Sequence, residues 1–311
     1  MKIVIPEQPA NQNEITKYWE FDECIYVSFV CLCFNHEKFL EITLNSLLAQ
    51  QTKYRFEIII HDDVSTDSSR DILQNYSSKY PDIIKLVLQK ENQFSQGKRI
   101  TPIATNYASG KYIAMCEGDD FWLDVNKIQK QVTFLESNHD YVISFHDVII
   151  VDENNQLVSS SKIPNKFQKS YSATEMALGD SFLPTLSWVY RNINFGDYQE
   201  INKVLNGDTF FVSMLSLFGK AKYHSEIKAA YRLHQQGAWS TKQRSVKVDQ
   251  LINTFFWMTF YHTKMKTNHA KPLRFKHLKL SLGAAYRQYG LSSMLLTFLK
   301  SIKSKFVNKV S

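Results

Sequence analysis

The sequence predicts an α/β fold with a mostly parallel central sheet flanked by helices. Three observations carry that expectation. The first 120 residues alternate apolar strand and amphipathic helix three times. The strands are nearly continuous apolar runs, such as YVSFVCLC at 26–33, as in parallel sheets covered on both faces. Polar residues collect where strands end: Asn35, then Asp62 and Asp63, then Glu117, Asp119 and Asp120. Open parallel sheets bind ligands beyond the carboxyl ends of their strands, so three such exits point to one shared site.

Taken in order, residues 1–24 are polar with little periodicity and read as a mobile leader. After the first strand, Asn35 and His36 turn the chain. Residues 37–50 read as a helix, with Leu40, Leu44, Leu47 and Leu48 on one face. A second strand over 56–60 runs into HDDVSTDS, where Asp67 or a nearby Ser caps a helix reaching about Tyr76. The third strand is 83–88. A polar loop follows, and Pro102 sits near the start of a short helix. Residues 112–115 make the fourth strand. Asp124 opens a helix through about Glu136, with Ile128, Val132 and Leu135 aligned. The second half is less regular, with strands at 141–145, 148–151 and 186–191, and a loop or hairpin over 152–170. Gly207-Asp208 starts a helix carrying Phe210, Met214 and Leu217, stopped by Gly219. Residues 223–232 supply one or two strands. The pattern is helical from about Val246, ending in a helix with Leu291, Leu295, Phe298, Leu299 and Ile302 on one face.

Composition narrows the class. A length of 311 residues suits one large domain or a domain with a helical appendage, and 44 % hydrophobic residues supply an ample core. With 10 Gly and 7 Pro, bulk disorder is excluded. Cys24, Cys31, Cys33 and Cys116 form no CxxC and read as free thiols of a reducing compartment. Residues 1–20 show no secretory signal, and the longest apolar runs, such as 255–260, fall far short of a membrane span. The expected location is cytoplasmic, or peripheral on the inner face of the cell membrane. The net charge of +7 is uneven: no Asp or Glu follows Asp249, while Lys and Arg recur to Lys309. Such a tail suits an anionic membrane surface or an acidic partner. With no recognised nucleic-acid module, nucleic acid is not an expected partner.

The stretch KYIAMCEGDDFW, 111–122, holds three carboxylates at a strand exit. Crowded carboxylates repel and raise one another's pKa, and a divalent cation relieves them. Oxygen ligands of this kind suit Mg²⁺ or Mn²⁺ with a phosphate completing the shell. Asp208, in the first turn of its helix, reads either as an ordinary N-cap or as a general base.

Four blocks carry a family resemblance: VSFVCLCFNHEKFL, FEIIIHDDVSTDSS, GKYIAMCEGDDFW, and GDTFFVSMLSLFGK with AAYRLHQQGAWS behind it. Together they resemble a family 2 glycosyltransferase with the GT-A fold, over roughly residues 25–242. They stand for that family's opening strand and turn, its DDGSTD loop, its DXD-type metal motif and its acceptor-side acid. Leu32-Cys33-Phe34 replaces the frequent Pro-Thr-Tyr, and Glu117 replaces the usual first Asp. The resemblance implies a nucleotide-binding half at 25–122, an acceptor-side half at 123–242 and a basic helical extension at 243–311.

It further implies inverting transfer from a nucleotide-sugar donor, a UDP-sugar, to a glycan or lipid-linked acceptor in bacterial surface polysaccharide synthesis, with Mn²⁺ or Mg²⁺. Asp63 or Asp62 would take the uracil N–H, with Asn35 and Glu37 lining the nucleoside end. Asp119 leans toward the ribose and Asp120 toward the metal, with exchange of the two left open. Glu117 supports both. His234 would join the metal or diphosphate. Asp208 would be the base. Arg232 either clamps phosphate or pairs with an acid, and Trp239 either stacks on a sugar or packs in the core. A nucleotidyltransferase would need a Gly-rich phosphate loop where Phe34-Asn35-His36-Glu37 stands. A non-catalytic sugar-binding module would not need the intact set of acids.

Overall fold

The computed structural model describes residues 3–196, 199–235, 243–290, 295, 296, 298 and 299. Trp239 lies outside the described residues, as does most of the expected last helix. The strands are β1 (Val27–Cys33), β2 (Phe56–Asp62), β3 (Ile84–Leu88), β4 (Tyr112–Glu117), β5 (Phe121–Trp122), β6 (Tyr141–Val151), β7 (Leu157–Ser159), β8 (Val189–Arg191) and β9 (Lys220–Arg232). The helices are α1 (Asn13–Thr16), α2 (Leu40–Leu48), α3 (Ser69–Lys79), α4 (Ile100–Thr105), α5 (Lys127–Ser137), α6 (Ala173–Ala177), α7 (Gly207–Leu215), α8 (Arg244–Lys264) and α9 (Ala270–Tyr289).

The chain forms two units. The first, Met1–Ala173, Ser181–Tyr198 and Phe218–Gly237, contains the whole sheet. Its strand order is β3-β2-β1-β4-β8-β6-β9-β5, with β7 beside β6. β3, β2, β1 and β4 are mutually parallel, as the apolar runs foretold. β6 also runs parallel to β9, while β8 is antiparallel to both β4 and β6. Two expected strands, 141–145 and 148–151, are one strand, β6, whose pairing with β9 shifts register between His146 and Val148. The four α2 leucines are fully buried, as are Ile128, Val132 and Leu135 of α5. Each such side chain contributes about 1.5–3 kcal/mol.

The amino-terminal segment is fastened to the sheet unit, against the expectation of a mobile leader. Ile15 is buried, the Trp19 ring meets Phe56 edge-on, and Phe21 stacks on Tyr54. Tyr80 donates its hydroxyl hydrogen to the carbonyl of Pro9. A few aromatic and aliphatic anchors hold a segment that its polar composition made look loose.

The second unit is helical: Thr174–Asp180, Gln199–Leu217 and Ala238–Ser311. In it α7 groups with α8 and α9. The reason is local packing: the Ser213 hydroxyl bonds the Ala177 carbonyl and meets His262 Nε2 at 3.0 Å, and Phe210 packs edge-on against Tyr261.

Candidate functional site

Register brings the polar strand exits together. Cys33 pairs with Asp62, and Leu32 pairs with Glu117, so β1, β2 and β4 end at one edge of the sheet. The turn after β1 is then stapled to the loop after β2. Asn35 adopts a left-handed backbone (φ 56°), which Asn tolerates, and its Oδ1 accepts from Thr66 N at 2.7 Å. The Ser65 and Ser69 hydroxyl oxygens accept from Asn35 N and His36 N, both at 2.9 Å. Glu37 N donates to Asp67 at 3.0 Å, while the Glu37 carboxylate accepts from Ser68 N at 2.9 Å. Asp67 also accepts from Ser69 N, so the start of α3 is capped by acids from both loops. Val64 lies at the centre of this loop with φ 68°, a strained conformation for a β-branched residue.

Asp62 and Asp63 have different tasks. Asp62 is fully buried, meets Arg70 Nε at 2.5 Å and accepts from Ser65 N. Asp63 accepts from Gln93 N at 2.7 Å and Phe94 N at 3.0 Å, drawing in the loop after β3. A carboxylate has about four acceptor sites, so these two bonds use half the capacity of Asp63, which is itself buried.

At the β4 exit the two aspartates point apart. Asp120 is 2 % exposed, and its Oδ1 accepts from Arg232 N at 2.8 Å. Asp119 turns toward two imidazoles: His234 Nε2 is 2.8 Å from its Oδ2, and His36 Nε2 is 3.9 Å from the same atom. Arg232 braces both. Its Nε donates to the Asp119 carbonyl at 2.8 Å, its Nη1 donates to Asn155 Oδ1 at 2.6 Å, and its guanidinium lies over the Phe39 and Phe121 rings. The Thr43 hydroxyl of α2 donates to the Asp120 carbonyl at 2.7 Å, locking the turn from the helix side. Glu117 ends β4 and is half-buried.

The electrostatics follow this divergence. Burial pushes the Asp119 carboxyl up, but the His234 hydrogen bond and the nearby imidazoles outweigh it and hold it below the usual carboxylate range. Burial, then the charges of Asp119 and Glu117, push Asp120 well above that range. Asp119 is therefore the more acidic member of the pair, and Asp120 the less acidic one.

His234 and Asn35, Glu37, Lys38, Phe39 and Asp67 line a cleft of about 500 Å³. A larger hollow of about 610 Å³ runs along β3 by Lys85 and Tyr107, and none of the acidic strand exits lines it. Among the expected site residues, then, Asn35, Glu37, Asp62, Asp63, Glu117, Asp119, Asp120, Arg232 and His234 all belong to the sheet unit. Asp208 belongs to the helical unit, in the first turn of α7. It is not the N-cap: Asn206 fills that position and accepts from Thr209 N.

One carboxylate and one imidazole in direct contact are donors that suit a divalent first-row ion. Among the described residues no group of three or more His, Cys, Asp or Glu side chains forms a ready-made metal cage. In the sequence His36 reads only as a turn residue between Asn35 and Glu37, with no motif of its own. Gly118, the one small residue among the acids, was the available signal.

Residues 28–201, more than half of the chain, match the profile described as "Glycosyl transferase family 2". An uncharacterized protein of Mycobacterium tuberculosis is 30 % identical over 213 residues, covering 68 % of this chain and 60 % of its own length. The chain thus spans about 60 % of the length of the mycobacterial relatives it matches. A UDP-Glc:alpha-D-GlcNAc-diphosphoundecaprenol beta-1,3-glucosyltransferase of Escherichia coli is 30 % identical over 141 residues, 45 % of this chain and 52 % of that one. Among solved structures, S. aureus TarS in complex with UDP has a TM-score of 0.57 at 17 % identity, covering 86 % of this chain and 72 % of that one. A mannosyltransferase of Pyrobaculum calidifontis in complex with GDP-Man and Mn²⁺ has a TM-score of 0.53 at 14 % identity, covering 93 % and 86 %. These structural likenesses give the fold, the GT-A glycosyltransferase architecture. With the profile match over more than half its length, the chain belongs to glycosyl transferase family 2.

Proposed function

We propose that the protein is an inverting, metal-dependent glycosyltransferase. It moves a sugar from a UDP-sugar to a hydroxyl of a glycan or lipid-linked acceptor in bacterial surface polysaccharide synthesis. The observation that carries this reading is the Asp119–His234 pair at the β4 exit, beside a cleft lined by Asn35 and Glu37. Relatives with named roles act in related chemistry, one of them on a diphosphoundecaprenol-linked sugar.

In this reading each residue has its own task. Asp63 keeps acceptor capacity for a uracil N–H while fixing the loop at Gln93 and Phe94. Asn35 and Glu37 shape the nucleoside end by their staple to the β2 loop. Asp119 and His234 are the residues that would hold a divalent cation. The geometry favours this exchange of the expected roles, because the Asp120 carboxyl is turned inward to Arg232 N. When bound, the ion supplies Lewis-acid neutralisation of the leaving diphosphate. Arg232 keeps Asp119 in place through its carbonyl. Asp208 takes the acceptor hydroxyl proton onto its carboxylate, a step typically worth about 10²–10⁴-fold.

The helical unit supplies a membrane-facing surface in this reading. Phe256, Phe260, Phe275 and Tyr286 are exposed on α8 and α9, among Lys264, Lys271, Arg274 and Lys279. No helix among the described residues is long and apolar enough to cross a membrane. Interleaved aromatic and basic side chains suit attachment to an anionic leaflet, beside a lipid-linked acceptor.

The test is a thermal-shift screen of nucleotide sugars with and without Mn²⁺, followed by transfer assays with the stabilising donor. Stabilisation by a UDP-sugar only with metal, and loss of transfer in D119A and D208A, is the expected result. Full transfer by either variant would sink the assignment.

A further inference from the structure

We propose that His36 is a third ligand of the divalent cation that Asp119 and His234 would hold, giving a donor set of two imidazoles and one carboxylate. This rests on the metal-dependent reading above and concerns which residues complete it. His36 Nε2 and His234 Nε2 approach the same oxygen, Asp119 Oδ2, at 3.9 and 2.8 Å, with the two rings perpendicular. Ligand atoms around a first-row ion with bonds of about 2.1 Å lie roughly 3 Å apart. His36 would thus need a movement of about 1 Å to join Asp119 and His234 in holding the ion.

The seat for His36 is built into the acidic motif. A Cβ on Gly118 would stand 2.7 Å from His36 Nδ1 and 3.2 Å from the Leu32 carbonyl. Gly118 has no positive φ, so the close approach of the imidazole, and not the backbone conformation, calls for glycine here. The backbone of His36 is fixed from the other side by the Ser69 hydroxyl. In EGDD, Gly118 thus leaves a gap between Glu117 and Asp119 into which an imidazole fits.

Two nitrogen donors change the expected ion. Mg²⁺ prefers an all-oxygen octahedron, whereas Mn²⁺, Co²⁺ and Zn²⁺ accept imidazole. The full-length protein should therefore bind Mn²⁺ more tightly than Mg²⁺, and His36 should supply part of that preference.

The test is calorimetric titration of the full chain with MnCl₂ and MgCl₂, with pulsed electron paramagnetic resonance of bound Mn²⁺ to count coupled imidazole nitrogens. Wild type, H36A, H36Q, G118A and D119N are compared, with circular dichroism confirming that each is folded. Wild type should show two coupled imidazoles. H36A, H36Q and G118A should show one, with Mn²⁺ affinity at least about 10-fold weaker and Mg²⁺ affinity little changed. If D119N abolishes Mn²⁺ binding while H36A and H36Q keep the wild-type Kd and both imidazole signals, the His36 assignment is overturned and the metal reading stands. If wild type binds no Mn²⁺, both are overturned.

Discussion

Replacing Arg232 with methionine removes the guanidinium and keeps most of the aliphatic stem between Phe39 and Phe121. Two half-buried acceptors lose their donor: the Asp119 carbonyl at 2.8 Å and Asn155 Oδ1 at 2.6 Å. An orphaned buried acceptor costs about 1–3 kcal/mol. The longer approaches to the Asp152 and Glu153 carbonyls, 3.3 and 3.5 Å, add little. Removing a buried charge recovers part of its desolvation penalty, so the net loss is about 3 kcal/mol. That lowers the thermal midpoint of the sheet unit by roughly 6–12 °C. Because the Asp119 carbonyl is one of the two freed groups, Mn²⁺ affinity should fall in the same variant. R232K keeps the charge but not the fork, and should lie between. Urea unfolding at neutral pH, read with and without Mn²⁺, measures both effects. An R232M protein within about 0.5 kcal/mol of wild type would refute the idea that this guanidinium braces the site.

Four further outcomes follow from other parts of the molecule. His262 is fully buried between Ser213 and Thr267, and burial, then the nearby His269, lower its pKa to about 4. The unfolded chain takes the proton first, so this contribution to stability is intact above about pH 6.5 and is lost as pH falls toward 4. It amounts to about 3 kcal/mol and should flatten in H262Q when denaturation is followed against pH. V64G should raise stability by about 1 kcal/mol in urea titrations, since left-handed strain of about 1–3 kcal/mol outweighs the added chain entropy of glycine. In D208N, turnover should fall about 10²–10⁴-fold with donor affinity retained, and α7 should persist because Asn206 caps it. The full-length protein should float with vesicles containing phosphatidylglycerol and not with phosphatidylcholine alone, and 0.5 M salt (roughly a 4 Å screening length) should release it.

Much of the sheet unit was legible because its signals are local. Runs such as VSFVCLC and FEIII are apolar at all but one position each, Ser28 and Glu57, whose side chains bond each other, and a strand covered on both faces satisfies them. Leu40, Leu44, Leu47 and Leu48 fall on one helical face and are all buried. β5, a strand of two residues, carried no periodicity and was missed. The amino-terminal segment was misread because its polar composition concealed anchors at Ile15, Trp19 and Phe21, whose partners lie 33 or more residues away in sequence.

The candidate site divides in the same way. The sequence by itself determined that Asp62, Asp63, Glu117, Asp119 and Asp120 collect at strand exits, since hydrophobic patterning sets where each strand stops. It could not say which aspartate of the EGDD turn meets His234 and which is buried against Arg232. Only the tertiary structure decided that. β9, arriving from more than a hundred residues away, presents the Arg232 N–H to Asp120 and the His234 ring to Asp119. Adjacent carboxylates have the same local chemistry, and their roles separate only when distant donors reach one and leave the other to burial. Likewise His36 looked like an ordinary turn residue until folding set its ring over Gly118, where the missing side chain gives it room to reach Asp119.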